Sequence, residues 1–292
     1  MRRKLIKYLQ RSRTKPLDPL GERAYTIGDF AITLPNSHLL ALHQKDNPLY
    51  DRFLLSLGAL KLGSWVIDIG ANVGDSAAAL LSMHPKRLLC IEPADDFFPL
   101  LERNARLFRD HGSEVVCVKT GVGPQGQTAR LEVNVSTASL QLGGSGLTLT
   151  SLDELVARHC TDGLGVDLIK CDVDGFDAVA LGSGMGVITR DQPLLYFEAD
   201  ITSADCLEQL KAFCKTLALA GYTQFSAFDN FGLLVAQDIS VAALGDMLGY
   251  TWALNQRQST RTFYYLDILC SGPRQNARHL EALGHYVSRW LS

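Results

Sequence analysis

The chain has 292 residues, enough for one large domain with extensions, and 47% of them are hydrophobic while 20% are charged. This composition is typical of a globular protein, and no apolar run approaches the ~20 residues that a membrane-spanning helix needs. The net charge is −3, but seven Lys or Arg residues lie in the first fifteen positions, which leaves 21 basic against 31 acidic residues elsewhere. That balance argues against a basic surface that binds nucleic acid.

The cysteines and the N-terminus indicate a compartment. Seven cysteines form no C-x-x-C pair, and their odd number argues against both a disulfide framework and a zinc site. The basic N-terminus is not followed by a clean apolar segment, so no secretory signal peptide is visible. We therefore predict a cytoplasmic protein.

Residues 1–20 are predicted to form a basic leader. Leu5, Ile6 and Leu9 lie among its basic residues and allow one short amphipathic helix. Such a helix would give residues 1–15 a weak contact with an anionic membrane surface or an acidic partner. A frayed, solvated terminus explains the same composition, so both interpretations stay open.

Residues 21–60 are predicted to form an N-terminal cover region. Residues 25–34 alternate as a hairpin does, and residues 37–44 and 48–60 have helical spacing. The sequence does not indicate whether this region lies over a cofactor or over a substrate.

From residue 64 the pattern alternates between strands and helices. Strands are predicted at 65–69, 87–91, 114–118, 166–171 and 193–198, and helices at 74–83, 95–109, 151–159, 177–182 and 204–220. This alternation predicts a mainly parallel sheet with helices on both faces and right-handed crossovers.

The first strand runs into a glycine-containing turn and then a helix, in the segment Trp65-Val66-Ile67-Asp68-Ile69-Gly70-Ala71-Asn72-Val73-Gly74-Asp75. Glycines allow the backbone to approach a ligand, and the helix N-terminus offers unpaired N–H groups, so this is a pattern of nucleotide sites. A dinucleotide site prefers G-x-G-x-x-G, whereas this turn has only Gly70 and Gly74, and Asp68 would repel a pyrophosphate. A cationic ligand without phosphate, such as S-adenosylmethionine, suits that carboxylate better. A tight turn without a ligand is the alternative, although an unpartnered buried Asp is costly.

A second acid, Glu92, closes the next predicted strand. An acid about 20 residues beyond a glycine turn binds ribose hydroxyls in nucleotide-binding sheets. A solvated loop glutamate is the alternative. After the third strand comes Gly121, where the backbone would flank the adenine by analogy with related folds.

Four blocks occur in a fixed order: Asp68-Ile69-Gly70-Ala71-Asn72-Val73-Gly74-Asp75, Ile91-Glu92-Pro93, Thr150-Ser151-Leu152-Asp153-Glu154-Leu155 and Asp167-Leu168-Ile169-Lys170-Cys171-Asp172-Val173-Asp174-Gly175. Together they resemble the FkbM family of methyltransferases over roughly residues 60–200, and more weakly to about 270. The first block is common to many methyltransferases, whereas the ordered combination is much more specific. The sequence departs from the family at Asp174, where the family usually has glutamate.

The resemblance implies an S-adenosylmethionine-dependent O-methyltransferase that acts on a hydroxyl of a sugar, glycan or small metabolite. It also implies an α/β, Rossmann-like class I methyltransferase fold over 61–272, with a mainly parallel seven-stranded sheet that ends in an antiparallel hairpin. We assign that hairpin to 222–228 and 263–269, although 232–235 also follows 222–228 with a hairpin pattern. Residues 273–292 are predicted to form a C-terminal helix.

The resemblance also places the reacting groups. In the class I sheet the fourth strand lies beside the first, so its carboxyl end meets the ligand held by the glycine turn. Lys170 and Asp172 share one face of that strand. We predict that Asp172 orients the acceptor or takes its proton, that Lys170 keeps this carboxylate charged or binds the acceptor, and that Glu198 binds acceptor hydroxyls. The predicted cofactor-binding residues are Asp68, Gly70, Asn72, Gly74, Asp75, Glu92, Gly121 and Asp172.

Four alternatives to this assignment remain open. Lys170 and Asp172 could form a purely structural ion pair, and Asp172, Asp174 and Asp177 could offer oxygen ligands to Mg²⁺ or Ca²⁺. Because Asp177 begins a predicted helix, where the dipole explains an acid, we predict no metal. A non-catalytic methyltransferase-like binding module, or a dinucleotide-dependent oxidoreductase, would carry part of the same pattern.

Overall fold

The computed structural model describes residues 21–84, 86–144, 146–257 and 263–291. The predicted basic leader over 1–20, with its helix and its membrane contact, lies outside these residues. Within the described ranges, no helix combines the length and the apolar character that crossing a bilayer requires.

The cover region forms a hairpin followed by two short helices: β1 (Glu22–Ile27), β2 (Phe30–Pro35), α1 (Leu40–Asp46) and α2 (Phe53–Gly58). β1 and β2 pair antiparallel, as predicted for 25–34. Ile32 and Leu34 are fully buried because alternate side chains of β2 face the core. Asn104 fixes this hairpin to the rest of the molecule, since its side chain bonds both the N–H and the carbonyl of Thr33 at 2.9 Å.

The remaining strands are β3 (Trp65–Ile69), β4 (Arg87–Ile91), β5 (Glu114–Val118), β6 (Gly121–Val122), β7 (Thr128–Val133), β8 (Ala138–Leu142), β9 (Leu147–Thr150), β10 (Val166–Cys171), β11 (Leu194–Asp200), β12 (Gln224–Asp229), β13 (Leu234–Ile239) and β14 (Tyr265–Ser271). The remaining helices are α3 (Asp75–Leu81), α4 (Phe98–Asp110), α5 (Leu152–His159), α6 (Asp177–Gly182), α7 (Met185–Asp191), α8 (Ala204–Leu219), α9 (Val241–Arg257) and α10 (Asn276–Tyr286), with a π-helical turn at Val287–Leu291. The predicted C-terminal helix is thus present as α10.

The main sheet has the order β13-β12-β14-β11-β10-β3-β4-β5. The five strands from β11 to β5 are parallel, and β14 runs antiparallel to both of its neighbours. Since β3 lies beside β10 and the last strands are antiparallel, this is the Rossmann-like class I methyltransferase fold. β3 and β10 are buried along their whole length, as expected for central strands covered on both faces.

The sheet has eight strands, not the seven predicted. β12 and β14 are antiparallel neighbours, as assigned. In addition, β13 pairs antiparallel with the outer edge of β12. The cause is a tight turn after β12, where the Asp229 side chain accepts hydrogen bonds from the N–H groups of Phe231 and Leu233 at 2.9 Å. The chain reverses at once, and β13 becomes a half-exposed edge strand.

Two hydrophobic cores fill the space between the sheet and its helices. One face of the sheet packs on the cover region, α3, α4 and α10, and the other face packs on α5 to α9. Successive β3 residues alternate between the cores, with Ile67 in one and Val66 in the other. Four short strands, in the order β6-β9-β7-β8, form a second sheet.

Candidate functional site

An open cleft lies where β3, β4 and β10 end, and its empty space, including the mouth, is about 940 Å³. The turn from Gly70 to Ser76 forms its floor, and the ends of β4 and β10 contribute Glu92 and Asp172. The cover region forms the opposite wall, and residues 136–138 lie at the rim. This position is the topological switch point of the sheet, where open α/β folds bind their ligands.

Gly70 allows the floor of the cleft to form. Its φ is +76°, and a Cβ atom there would lie 2.0 Å from the carbonyl oxygen of Asp172. The N–H groups of Gly70 and Ala71 both donate to the carbonyl of Ile91, at 3.0 and 3.1 Å. The turn is therefore held between the ends of β4 and β10.

Asp68 lies behind this floor instead of at the surface of the cleft. It is fully buried, and its carboxylate accepts a hydrogen bond from the Ser76 hydroxyl at 2.6 Å while Lys170 Nζ lies 3.2 Å from the other oxygen. Burial raises the pKa of Asp68, and Lys170 and Ser76 oppose that rise. Because Lys170 already neutralises this carboxylate, the expected direct contact between Asp68 and a cationic ligand does not fit the geometry.

Lys170 connects the buried acid to the cleft. Its Nζ donates to the carbonyl of Gly70 at 3.1 Å and lies 3.7 Å from the carboxylate of Asp172. Burial alone would lower the pKa of Lys170, but the carboxylates of Asp68 and Asp172 raise it above the ordinary value. Lys170 thus stays charged, and its closer carboxylate is Asp68. Asp172, whose side chain is 52% exposed, remains accessible in the cleft.

Glu92 is buried at the end of β4 and lines the cleft. One of its oxygens accepts the N–H of Asn72 at 2.9 Å, and the other accepts the N–H of Ala94 at 2.8 Å. Burial raises the pKa of Glu92 to about 7, although these two hydrogen bonds act in the opposite direction. Asn72 in turn donates from its side chain to the carbonyl of Ser136 at 2.9 Å, which ties the rim to the floor.

Two further acids face the cleft. Burial, followed by the Asp172 carboxylate, raises the pKa of Asp51 to about 8 and that of Asp174 to about 7. Asp51, Asn72 and Asp174 have φ values of +58°, +49° and +51°, and all three line the cleft. Non-glycine residues in this region of φ are uncommon and concentrate at functional sites.

The cover region supplies side chains that the sequence did not identify. His38, His43, Tyr50, Asp51 and Arg52 line the wall that faces Asp172. They follow no known motif, and the only signal for them was the expectation that residues 21–60 cover a ligand. That expectation named no residue, because the direction of these side chains depends on how α1 and the segments on either side of it pack across the cleft.

Besides Asp68, three predicted site residues do not line the cleft. Gly74 precedes α3 with φ +90° and packs near Leu101, while Gly121 pairs with Leu149 in the second sheet. Glu198 lies on β11 opposite Asp267, and burial together with Asp172 raises its pKa well above the ordinary value. The cleft does bring together the predicted residues Gly70, Asn72, Asp75, Glu92, Lys170 and Asp172.

Carboxylates near α6 do not form a metal centre in the described part of the chain. No group of three or more His, Cys, Asp or Glu side chains there has an arrangement that could hold a metal ion. Asp177 is fully buried, and its carboxylate accepts the N–H of Val173 at 3.4 Å. Asp177 therefore has a local role in the turn between β10 and α6.

Comparison with known proteins gives distant similarities. No family model matches the sequence, and no curated protein matches it. Among solved structures, an FkbM methyltransferase from Methylobacillus flagellatus is 16% identical with a TM-score of 0.40, over 80% of this chain and 52% of that one. This chain therefore spans about half the length of that protein.

Two other structures align over most of both chains. TYW2 of M. jannaschii, in complex with AdoMet, is 11% identical with a TM-score of 0.45, over 86% of this chain and 85% of that one. A SAM-dependent methyltransferase from Thiobacillus denitrificans, in complex with S-adenosyl-L-homocysteine, is 13% identical with a TM-score of 0.40, over 80% and 97%. These similarities are too distant to assign an activity.

Proposed function

We propose that this chain is an S-adenosylmethionine-dependent methyltransferase. The observation that carries the proposal is the excess of carboxylates around a cleft at the switch point of the sheet. Five acids line it: Asp51, Asp75, Glu92, Asp172 and Asp174. Two basic side chains also line it, but Lys170 is already paired with buried Asp68, and the guanidinium of Arg52 lies over the ring of Trp290 at 5.3 Å. A ligand that carries a sulfonium and an ammonium is attracted to such a cleft, because opposite charges stabilise each other more where water is scarce.

The same charges disfavour a dinucleotide. A pyrophosphate binds where a glycine turn meets the start of a helix. Here α3 begins with Asp75, whose carboxylate lines the cleft, so a phosphate would meet a negative charge at that point. The turn also lacks the third glycine of the dinucleotide pattern. A methyltransferase is therefore favoured over an oxidoreductase.

Several side chains suit the parts of the proposed cofactor. Glu92 would accept hydrogen bonds from ribose hydroxyls, since each carboxylate oxygen can accept more than the one backbone N–H it already has. The backbone at Gly70 would lie against the ligand, as the absence of a side chain permits. Asp68 would act indirectly, by holding Lys170 in place.

The chemistry of transfer assigns a role to Asp172. When bound, S-adenosylmethionine would supply an electrophilic methyl group for the acceptor oxygen, with its sulfur as the leaving group that keeps the electron pair of the S–C bond. The protein would hold the acceptor oxygen in line, which contributes about 7–11 kcal/mol. Asp172 would accept the proton that this oxygen loses, worth about 10²–10⁴-fold. Lys170, 3.7 Å from Asp172, would hold this carboxylate in place for the step.

We further propose that the acceptor is a hydroxyl of a sugar, glycan or small metabolite in the cytoplasm. The resemblance to the FkbM family suggests this class, and the polar wall of the cleft supports it. Asp51 and Asp174 have raised pKa values near 8 and 7, so each exchanges a proton near neutral pH: ionised, it attracts a cationic ligand, and protonated, it donates to an acceptor oxygen. Glu198 remains a candidate for contact with a larger acceptor.

The proposal is tested by ligand binding and then by transfer. Calorimetry with S-adenosylhomocysteine and with NAD should give binding of the first and none of the second. Transfer of a labelled methyl group to a panel of glycans and hydroxylated metabolites should then identify an acceptor. Binding of NAD without S-adenosylhomocysteine would overturn the proposal. Binding of S-adenosylhomocysteine without transfer to any acceptor would favour a non-catalytic binding module.

A further inference from the structure

His38 and Asp75 face each other at one side of the cleft. Their side chains are 6% and 18% exposed, and His38 Nε2 lies 3.9 Å from Asp75 Oδ2. Both residues line the cleft, where the segment just before α1 meets the first turn of α3. This separation is longer than a hydrogen bond, so the two groups are close without satisfying each other.

The proton position on His38 follows from its other nitrogen. The N–H of Leu40 donates to Nδ1 at 3.3 Å, so a neutral ring carries its proton on Nε2. Nε2 is buried and has no hydrogen-bond partner within the described residues. A buried donor without a partner is costly, which indicates that a ligand completes this site.

Asp75 offers the complementary group. It is the first residue of α3, and within the described residues its carboxylate forms an ion pair with His38 and with no Lys or Arg side chain. Glu92 contacts the turn at Asn72, three residues earlier, so the turn separates Glu92 from Asp75. A ligand whose ribose lies at Glu92 would extend its other end toward Asp75 and His38.

We propose that His38 and Asp75 bind the zwitterionic α-amino acid group of the cofactor. His38 donates from Nε2 to the carboxylate, and Asp75 accepts from the ammonium. A donor and an acceptor about 4 Å apart match the carboxylate and the ammonium of an α-amino acid. A lone carboxylate or a lone imidazole in the protein would match only one of these two groups. This inference rests on the proposed function, and it gives the cover region a direct part in cofactor binding.

Two ligands separate this role from a structural one. S-adenosylhomocysteine carries the amino acid group, whereas 5′-deoxy-5′-methylthioadenosine keeps the adenosine and the thioether but lacks that group. The inference predicts that changes at His38 or Asp75 weaken binding of the first ligand and leave binding of the second unchanged. Calorimetry with both ligands measures this without any turnover.

Two substitutions of His38 form a matched pair. The amide of His38→Gln can place a donor where Nε2 lies, whereas His38→Asn reaches only the position of Nδ1. We expect His38→Asn to weaken S-adenosylhomocysteine about 10- to 100-fold, the value of a hydrogen bond to a charged group. His38→Gln should retain most of the affinity. Asp75→Asn, which removes the charge with little change of shape, should cause a loss like that of His38→Asn.

His111→Asn serves as the control, because His111 is an exposed histidine after α4 and does not line the cleft. It should leave the ratio of the two affinities unchanged. Equal loss of both ligands in His38→Asn, unchanged binding, or the same selective loss in His111→Asn would overturn the inference. A wild-type protein that binds neither ligand would overturn the proposed function itself, so the two failures are distinguishable.

Discussion

At the scale of single residues, Asp172 has a half-exposed carboxylate that lines the cleft. Its role is testable by removing its charge. Asp172→Asn should bind S-adenosylhomocysteine normally, since Lys170 remains held by Asp68 and Gly70. Turnover should fall about 10²–10⁴-fold, because the acceptor proton loses its base. Calorimetry and labelled methyl transfer measure the two effects separately.

The control for Asp172 is Glu208→Gln, an exposed acid on α8 whose neighbour is Lys211. It should leave both binding and turnover unchanged. Full turnover by Asp172→Asn would assign the proton transfer to another group. Loss of cofactor binding in that variant would instead place Asp172 among the cofactor ligands.

The buried pair of Asp68 and Lys170 makes a second prediction at this scale. Lys170→Met leaves the Asp68 carboxylate in the core with Ser76 as its remaining side-chain partner, so the free energy of unfolding should fall by about 3–5 kcal/mol. Adding Asp68→Asn should recover part of that loss, because the buried charge is then removed. Urea denaturation of both variants checks this, and a smaller stability for the double variant would contradict it.

At the scale of elements, the strand–turn–helix from β3 to α3 depends on Gly70. Gly70→Ala adds a Cβ atom 2.0 Å from the Asp172 carbonyl oxygen, at a φ of +76° that already disfavours alanine. Gly126→Ala is a matched control, since its φ is +75° and no atom lies within 4 Å of the added Cβ. We expect the control to lose about 1–2 kcal/mol and Gly70→Ala to lose clearly more. Equal losses in urea denaturation would show that strain alone, and not the clash, decides the cost.

The elements also show what could be predicted from the sequence. The central strands β3, β4 and β10 were predictable because burial on both faces requires continuous apolar runs bounded by turns. Glu92 was predictable as a cleft residue because strand ends in parallel sheets meet at one edge. His38 and Asp51 were not, since their position depends on how α1 and the turn after it pack across the cleft. Local pattern holds no information about that packing.

At the scale of the whole molecule, the same limit applies to Asp68 and to the sheet edge. The residues predicted an acid at the end of the first strand, but its partner, Lys170, comes about 100 residues later and reaches it only because β3 and β10 pair. The sequence offered two segments to pair with 222–228, the hairpin segment 232–235 and the apolar segment 263–269. Only the second was assigned to the sheet. The fold accommodates both because the sheet has a free edge.

The pH dependence of stability is a whole-molecule property that tests the acidic cleft. Glu92 has a pKa of about 7 in the fold, raised by burial above its value of about 4.3 in an unfolded chain. Folding thus favours the protonated form of Glu92, and this contribution is complete below about pH 4 and is lost as the pH rises through 7. Glu92→Gln removes the titration.

The free energy of unfolding of the wild type, relative to Glu92→Gln, should therefore fall as the pH rises from about 4 to 7 and then level off. Taking the difference cancels other groups, such as His279, whose pKa burial lowers to about 4 in both proteins. Urea denaturation at a series of pH values, without ligand, measures this difference. A difference that stays constant or rises over that interval would mean that the buried Glu92 carboxyl is ionised throughout, stabilised by the N–H groups of Asn72 and Ala94.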